Sequence, residues 1–134
     1  MNIEFSKDKN RMDIKLIHHF LNDESYWGKG RSLSEITNAV SNSLCFGIFF
    51  QNHQIGFARV VTDFIFFAYL MDVFILKEFR GNGFGKSLIS HILEDQELKN
   101  VKKWMLATTD AHLLYAKFGF KKIENPNIYM ELKK

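Results

Sequence analysis

The stretch RGNGFGKS, Arg80–Ser87, places three glycines between two segments of different periodicity. Before it runs FAYLMDVFIL, Phe67–Leu76, a nearly continuous apolar segment of strand length. After it runs SLISHIL, Ser87–Leu93, with Leu88, Ile89, Ile92 and Leu93 at helical spacing. A strand that enters a helix through a glycine-rich turn requires a mixed α/β arrangement built on a sheet. The same turn leaves backbone N–H groups uncovered at the positive end of a helix, which favours an anion there.

The remaining pattern agrees with one sheet carrying interspersed helices. Ile3–Phe5 reads as a short first strand. Asp13–Leu21 reads as a helix, with Ile14, Ile17 and Leu21 on one face. SYWGKGRS, Ser25–Ser32, is a loop with two glycines and the look of a mobile lid. Ser32 and Glu35 have capping-box spacing ahead of a second helix from Leu33 to about Asn42. LCFGIFFQ and QIGFARVVT read as a hairpin turning at Asn52-His53. KKWMLAT, Lys102–Thr108, is a further strand, and Ala111–Phe118 a helix ended by Gly119. FKKI and IYMEL, around Pro126, read as two closing strands. The expected fold is α/β (α+β). It is a single domain over residues 1–134, with a mostly antiparallel mixed sheet of about six to seven strands and about four flanking helices.

Composition narrows the function classes. With 46% hydrophobic and 15% aromatic residues, the 134-residue chain can bury a sizeable core. One cysteine allows no internal disulfide, and no apolar leader opens the chain, so a cytoplasmic setting is expected. Arg59, Asp63 and Asp72 interrupt the most apolar region and argue against a membrane span. The net charge of +3 comes from scattered pairs such as Lys102-Lys103 and Lys121-Lys122, which form no nucleic-acid stripe. Neither a nucleic-acid partner nor a membrane is expected. A mild positive bias suits an anionic cofactor.

Three glycine patterns compete for the turn. A Walker A loop needs glycine at position 80, where the chain has Arg80. The dinucleotide fingerprint needs a third glycine at position 86, where it has Lys86. Arg80-Gly81-Asn82-Gly83-Phe84-Gly85 matches the remaining pattern, R/Q-x-x-G-x-G/A. With Tyr115, Gly119 and Phe120 in TTDAHLLYAKFGF downstream, the chain resembles the GNAT superfamily of acyl-CoA N-acyltransferases over nearly its whole length.

That resemblance implies acetyl-CoA as co-substrate, no metal, and direct attack of a primary amine on the thioester in a ternary complex. The acceptor is open among a free amino acid, a polyamine, an aminoglycoside and a protein amine, and the compactness of the chain points to a small molecule; the expected assembly is a monomer, or a homodimer paired through the apolar C-terminal strands. The cofactor would be held by Val73, Phe74 and Ile75 at the strand end. It would also be held by Arg80, Gly81, Asn82, Gly83, Phe84, Gly85 and Lys86 in the turn. Asp72 is the implied base, directly or through water, and its other reading is a structural carboxylate bonded to nearby backbone. Asp63 and Asp110 are lesser candidates, and Asp110 also suits a helix cap. Tyr115 is the implied acid for the leaving thiolate, or else a core aromatic. His112 either approaches the same site or lies on the surface. Tyr26, Trp27, Arg31, Arg59, Asp63 and Tyr69 are nominated for the acceptor pocket. Arg31 and Arg59 suit a carboxylate, and Arg59 equally suits an ion pair with Asp63 or Asp72. The alternative to catalysis is an acyl-CoA-binding sensor or scaffold of the same fold. Cys45 is expected to be a small core residue, with no acyl-enzyme role.

Overall fold

A computed structural model describes residues 2–134. Its strands are β1 (Ile3–Ser6), β2 (Leu44–Phe50), β3 (His53–Thr62), β4 (Ala68–Ile75) and β5 (Trp104–Met105). Its helices are α1 (Ile14–His19), α2 (Leu33–Ser41), α3 (Phe84–Leu93) and α4 (His112–Ala116). The five strands form one sheet in chain order, antiparallel from β1 to β4 and parallel between β4 and β5.

Local chemistry accounts for most boundaries. Gln51 and Asn52, both with positive φ, turn β2 into β3 one residue earlier than expected. Asp13 caps α1 by accepting from the Leu16 N–H, and a π-helical turn, Phe20–Glu24, extends it. Ser32 and Glu35 form the full capping box of α2. Gly119, at φ 93°, follows α4 as expected of a helix-ending glycine.

Helices cover both faces of the sheet. Ile17, Phe20 and Leu21 with Ile36 and Val40 bury Cys45, Phe57 and Phe74 on one face. Leu88, Ile89, Ile92 and Tyr115 bury Phe46, Ala58, Val60 and Leu70 on the other. Neighbours along a strand alternate between the two clusters, as a pleated strand requires. β4 breaks this rule. Leu70 and Phe74, four residues apart, would share a face in a regular strand, yet they belong to opposite clusters.

The cause is a bulge at Asp72. Arg59 pairs with Met71 and Phe57 with Phe74, so β4 carries one residue more than β3 across this interval. Asp72 takes φ 57°, a left-handed conformation that aspartate tolerates better than most residues. The uninterrupted apolar run hides this change of face from a sequence reading.

Two expectations are corrected here. The sheet has five strands, fewer than the six to seven expected, because FKKI and IYMEL form no strands. The segment after α4 contains one 3-10 turn, Pro126–Ile128, and leaves Met130 and Leu132 exposed. The strand expected over Lys102–Thr108 is only two residues long, and beyond Met105 its chain is no longer paired with β4. No helix among the described residues is long and apolar enough to cross a membrane.

The β3–β4 pairing leaves no room beside Gly56. A methyl group there would lie 2.5 Å from Ile48 Cγ2, 2.7 Å from Ile75 Cδ1 and 2.9 Å from the Phe74 carbonyl oxygen. Gly56→Ala is therefore expected to destabilise the protein by about 1–3 kcal/mol. Thermal unfolding of the purified variant checks this, with a fall of several degrees in the midpoint expected.

Candidate active site

The short β4–β5 pairing builds the site. The two strands pair only at Ala68–Trp104 and Tyr69–Met105. Beyond Tyr69 the β5 edge of β4 has no strand beside it, and an open cleft of about 970 Å³ occupies the gap. Tyr69 and the later residues of β4 line one wall, and Leu106 to Ala111 with Tyr115 line another. The glycine turn lies at the end of β4, and Tyr26, Trp27 and Arg31 lie at the side of α1 and its following loop.

The turn has the geometry of an anion cradle. Gly81 and Gly83 have φ of 84° and 77°, so each favours glycine, and a Cβ at either position would meet nothing within 4 Å. Gly83 precedes α3 without capping it by a side chain, and the Ser87 N–H is the first to bond back to the Gly83 carbonyl. The N–H groups of Phe84, Gly85 and Lys86 are thus free at the helix start. Arg80 Nε donates to the Ile75 carbonyl at 2.9 Å and ties the turn to the strand end. Asn82 donates to the Phe79 and Arg80 carbonyls, so its side chain braces the turn from outside the cleft lining. Phe84 packs its ring with Ile48 and Ile55, leaving only its backbone for a ligand. Val73, Phe74, Ile75, Arg80, Gly81, Gly83, Phe84, Gly85 and Lys86 all line the cleft.

Asp72 lies in the same cleft, with its side chain 1% exposed. Its Oδ1 accepts from Arg31 at 2.8 Å and from the Trp27 indole N–H at 3.0 Å, and its Oδ2 accepts from Arg59 Nε at 2.9 Å. The partners are therefore two guanidinium groups and an indole, where the sequence reading offered nearby backbone. Each oxygen of Asp72 thus faces a guanidinium group, and Oδ2, with a single donor, has one acceptor site left. Arg59 is also committed elsewhere, donating to Ser43 Oγ at 3.0 Å and touching Met71 sulfur. It does not line the cleft. Of its two readings, the ion pair with Asp72 is the one the fold contains, and its nomination to the acceptor pocket is corrected.

Asp63 is also corrected. It is exposed in the β3–β4 loop, where Oδ1 accepts from the N–H groups of Ile65, Phe66 and Phe67. Those backbone bonds hold its carboxyl below the usual range. The loop thereby satisfies its own backbone, and Asp63 is not in the cleft lining. Asp110 lines the cleft but does not cap α4, which starts after Ala111 without a side-chain cap. Thr108 Oγ1 accepts from the Asp110 and Ala111 N–H groups instead. His112 is exposed and away from the cleft lining.

Tyr115 is 9% exposed, with its ring edge-on to Phe120 at 5.8 Å. It lines the cleft, and its hydroxyl has no protein partner among the described residues. Burial, then the nearby Tyr26 and Asp110, pushes its pKa up to about 12. Tyr115 therefore carries its proton at neutral pH. Tyr26 stands opposite in character. Its hydroxyl accepts from the Thr109 N–H at 3.2 Å, and hydrogen bonding from Thr109 lowers its pKa. Cys45 is wholly buried, and burial lifts its thiol to about 11.

The loop read as a mobile lid is tied at several points. Gly28 N–H donates to Ser25 Oγ, Gly30 N–H to Asn22, and Trp27 and Arg31 both reach Asp72. The Tyr26–Thr109 bond links it to the far wall. Thr108 and Thr109 were not singled out from the sequence, because nothing but contact with the cleft distinguishes two threonines in a loop.

The acetyltransferase (GNAT) domain family matches residues 41–122, and the chain belongs to that family. A GNAT-family protein from Xanthomonas campestris pv. campestris has a crystal structure of the same form. Its TM-score is 0.97 at 40% identity, covering 100% of this chain and 94% of that one. A Gibberella zeae protein named as an acetyltransferase is 27% identical over 132 residues, covering 84% of this chain and 75% of its own. An acetyltransferase from Clostridium acetobutylicum, solved with acetyl-CoA, shares the fold at TM-score 0.71 and 20% identity. That match covers 98% of this chain and 95% of the other.

The charge on Asp72 holds the site together, and Asp72→Asn isolates it, since asparagine has the same shape and also tolerates a left-handed backbone. The substitution leaves Arg59 buried without its counter-ion, at a cost of about 3 kcal/mol. Thermal unfolding should show a midpoint lower by about 10 °C. An unchanged midpoint would mean that the two arginines do not depend on that carboxylate.

Proposed function

We propose that the protein transfers an acetyl group from acetyl-CoA to the primary amine of a small molecule by direct attack in a ternary complex. The observation that carries this reading is the parting of β4 from β5 above a glycine turn whose N–H groups have no protein acceptor. A pyrophosphate fits those N–H groups, with Arg80 and Lys86 adding charge. The unpaired edge of β4 at Val73, Phe74 and Ile75 suits an extended pantetheine arm, which would add to the sheet like a short strand. The acetyl-CoA bound to the Clostridium acetobutylicum relative supports the same ligand here. The co-substrate supplies an activated thioester, so the protein need not supply a nucleophile.

Two proton tasks remain. Tyr115, protonated and facing the cleft, serves the departing thiolate as acid. The amine's proton passes to water, with Asp72 kept as the counter-ion of Arg31 and Arg59, whose charges its two oxygens already face. In this proposal Asp72 is a positioning residue and a counter-ion.

Acetyl-CoA-dependent release of free thiol, followed across a panel of small amines, tests the activity. Tyr115→Phe retains the ring packing and should lower kcat by about 100-fold. Gly83→Ala should weaken acetyl-CoA binding about tenfold, measured by calorimetry, through backbone strain at a positive φ in the turn. Acetyl-CoA binding with no thiol release from any amine would indicate the sensor or scaffold reading. No binding at all would remove the assignment of the turn.

A further inference from the structure

We infer that the acceptor bears a carboxylate as well as its amine, and that Arg31 is the residue that holds that carboxylate. The inference rests on the acetyl-transfer reading and names the acceptor class for the same site.

The two arginines beside Asp72 are not equivalent. Arg59 has an 11% exposed side chain, and each of its three nitrogens meets a protein atom, in Asp72, Ser43 and Met71. Arg31 lines the cleft, with 28% of its side chain exposed, and meets Asp72 through one terminal nitrogen only. Its Nε and second terminal nitrogen have no protein partner among the described residues. That leaves a planar pair of donors open to the cleft, the arrangement that binds a carboxylate through two parallel hydrogen bonds.

Arg31 is also held ready. Its carbonyl meets His18 Nε2 at 2.9 Å, and its N–H donates to the Gly28 carbonyl at 3.4 Å. Gly30, at φ 87°, sets the turn before it. The contact to Asp72 fixes one end of the guanidinium. An anchor fixed in this way loses little conformational freedom on binding.

The carboxylates offer no comparable hold for a polycationic acceptor. Asp72 is the buried one, and each of its oxygens already accepts from a guanidinium group. The other two lining the cleft, Glu24 and Asp110, are exposed, with Glu24 lying 3.7 Å from His19. With Asp72 already paired to Arg59 from outside the lining, the charge of Arg31 is left uncompensated in the cleft, which favours an anionic group on the acceptor.

The experiment compares α-amino acids with their decarboxylated amines, and with phosphorylated amines of similar size, at saturating acetyl-CoA. The carboxylate-bearing member of each pair should have a KM lower by about tenfold or more. In Arg31→Gln that ratio should collapse towards one, and in Arg31→Lys it should fall part of the way. Acetyl-CoA affinity and the unfolding midpoint, measured on each variant, separate loss of the anchor from loss of the fold. Equal KM values within the pairs, preference for a phosphorylated amine, or an unchanged ratio in Arg31→Gln would each overturn the assignment. If no amine is turned over, calorimetry with N-acetyl amino acids and their uncharged amides in the presence of CoA still decides it. Arg31-dependent preference for the carboxylate would then uphold the anchor while the transfer reading fails, and no preference would remove the anchor.

Discussion

The bond set around Asp72 is the contact on which the cleft depends. A carboxylate in a strand facing a packed core is costly unless it is paired. Here the pairing joins three elements: Arg59 on β3, Arg31 and Trp27 on the loop before α2, and Asp72 on β4. The same residue supplies the left-handed backbone that inserts an extra position into β4. Charge and conformation meet at one side chain. The bulge turns Asp72 towards Arg59, and the ion pairs fix the loop that forms the cleft's near wall.

The shape of the cleft follows from the unequal pairing of β4. β4 pairs with β3 along most of its length but with β5 at only two positions. The edge facing β5 is left open above the glycine turn, where the N–H groups of α3 begin. A ligand with an anionic centre and an extended polar arm matches both features at once. The helix start binds charge, and the strand edge offers backbone groups. The pairing of a protonated Tyr115 with a hydrogen-bonded Tyr26 sets two phenols of different acidity on the same cleft.

Much of the site was legible because its parts have local signatures. Glycines at 81 and 83 mark positive φ, the Ser32–Glu35 spacing marks a capped helix, and Gly119 marks a helix end. Tyr115 could be nominated because it lies on a recognisable helix with Gly119 and Phe120 behind it. The acceptor side was less legible. Arg31, Arg59 and Asp63 were all nominated there and Asp72 as the base, and nothing in their spacing says which pairs with which. Asp63 turned out to satisfy its own loop, and Arg59 to neutralise Asp72 from inside the sheet. The two closing strands failed for a related reason. Alternating apolar residues in IYMEL satisfy the strand pattern, but a strand exists only where a partner lies beside it.

The amino-acid sequence by itself determined the mixed α/β fold, the strand-to-helix turn and the family, because each rests on short-range periodicity or on backbone freedom that only glycine provides. The tertiary structure decided the face change at Asp72, the early parting of β4 and β5, and which arginine is spent and which is free. Those depend on pairing between residues 13 to 45 positions apart, such as Arg59 with Asp72 and Trp27 with Asp72. Hydrogen bonds and ion pairs of that range are set by register and burial, which no local pattern encodes.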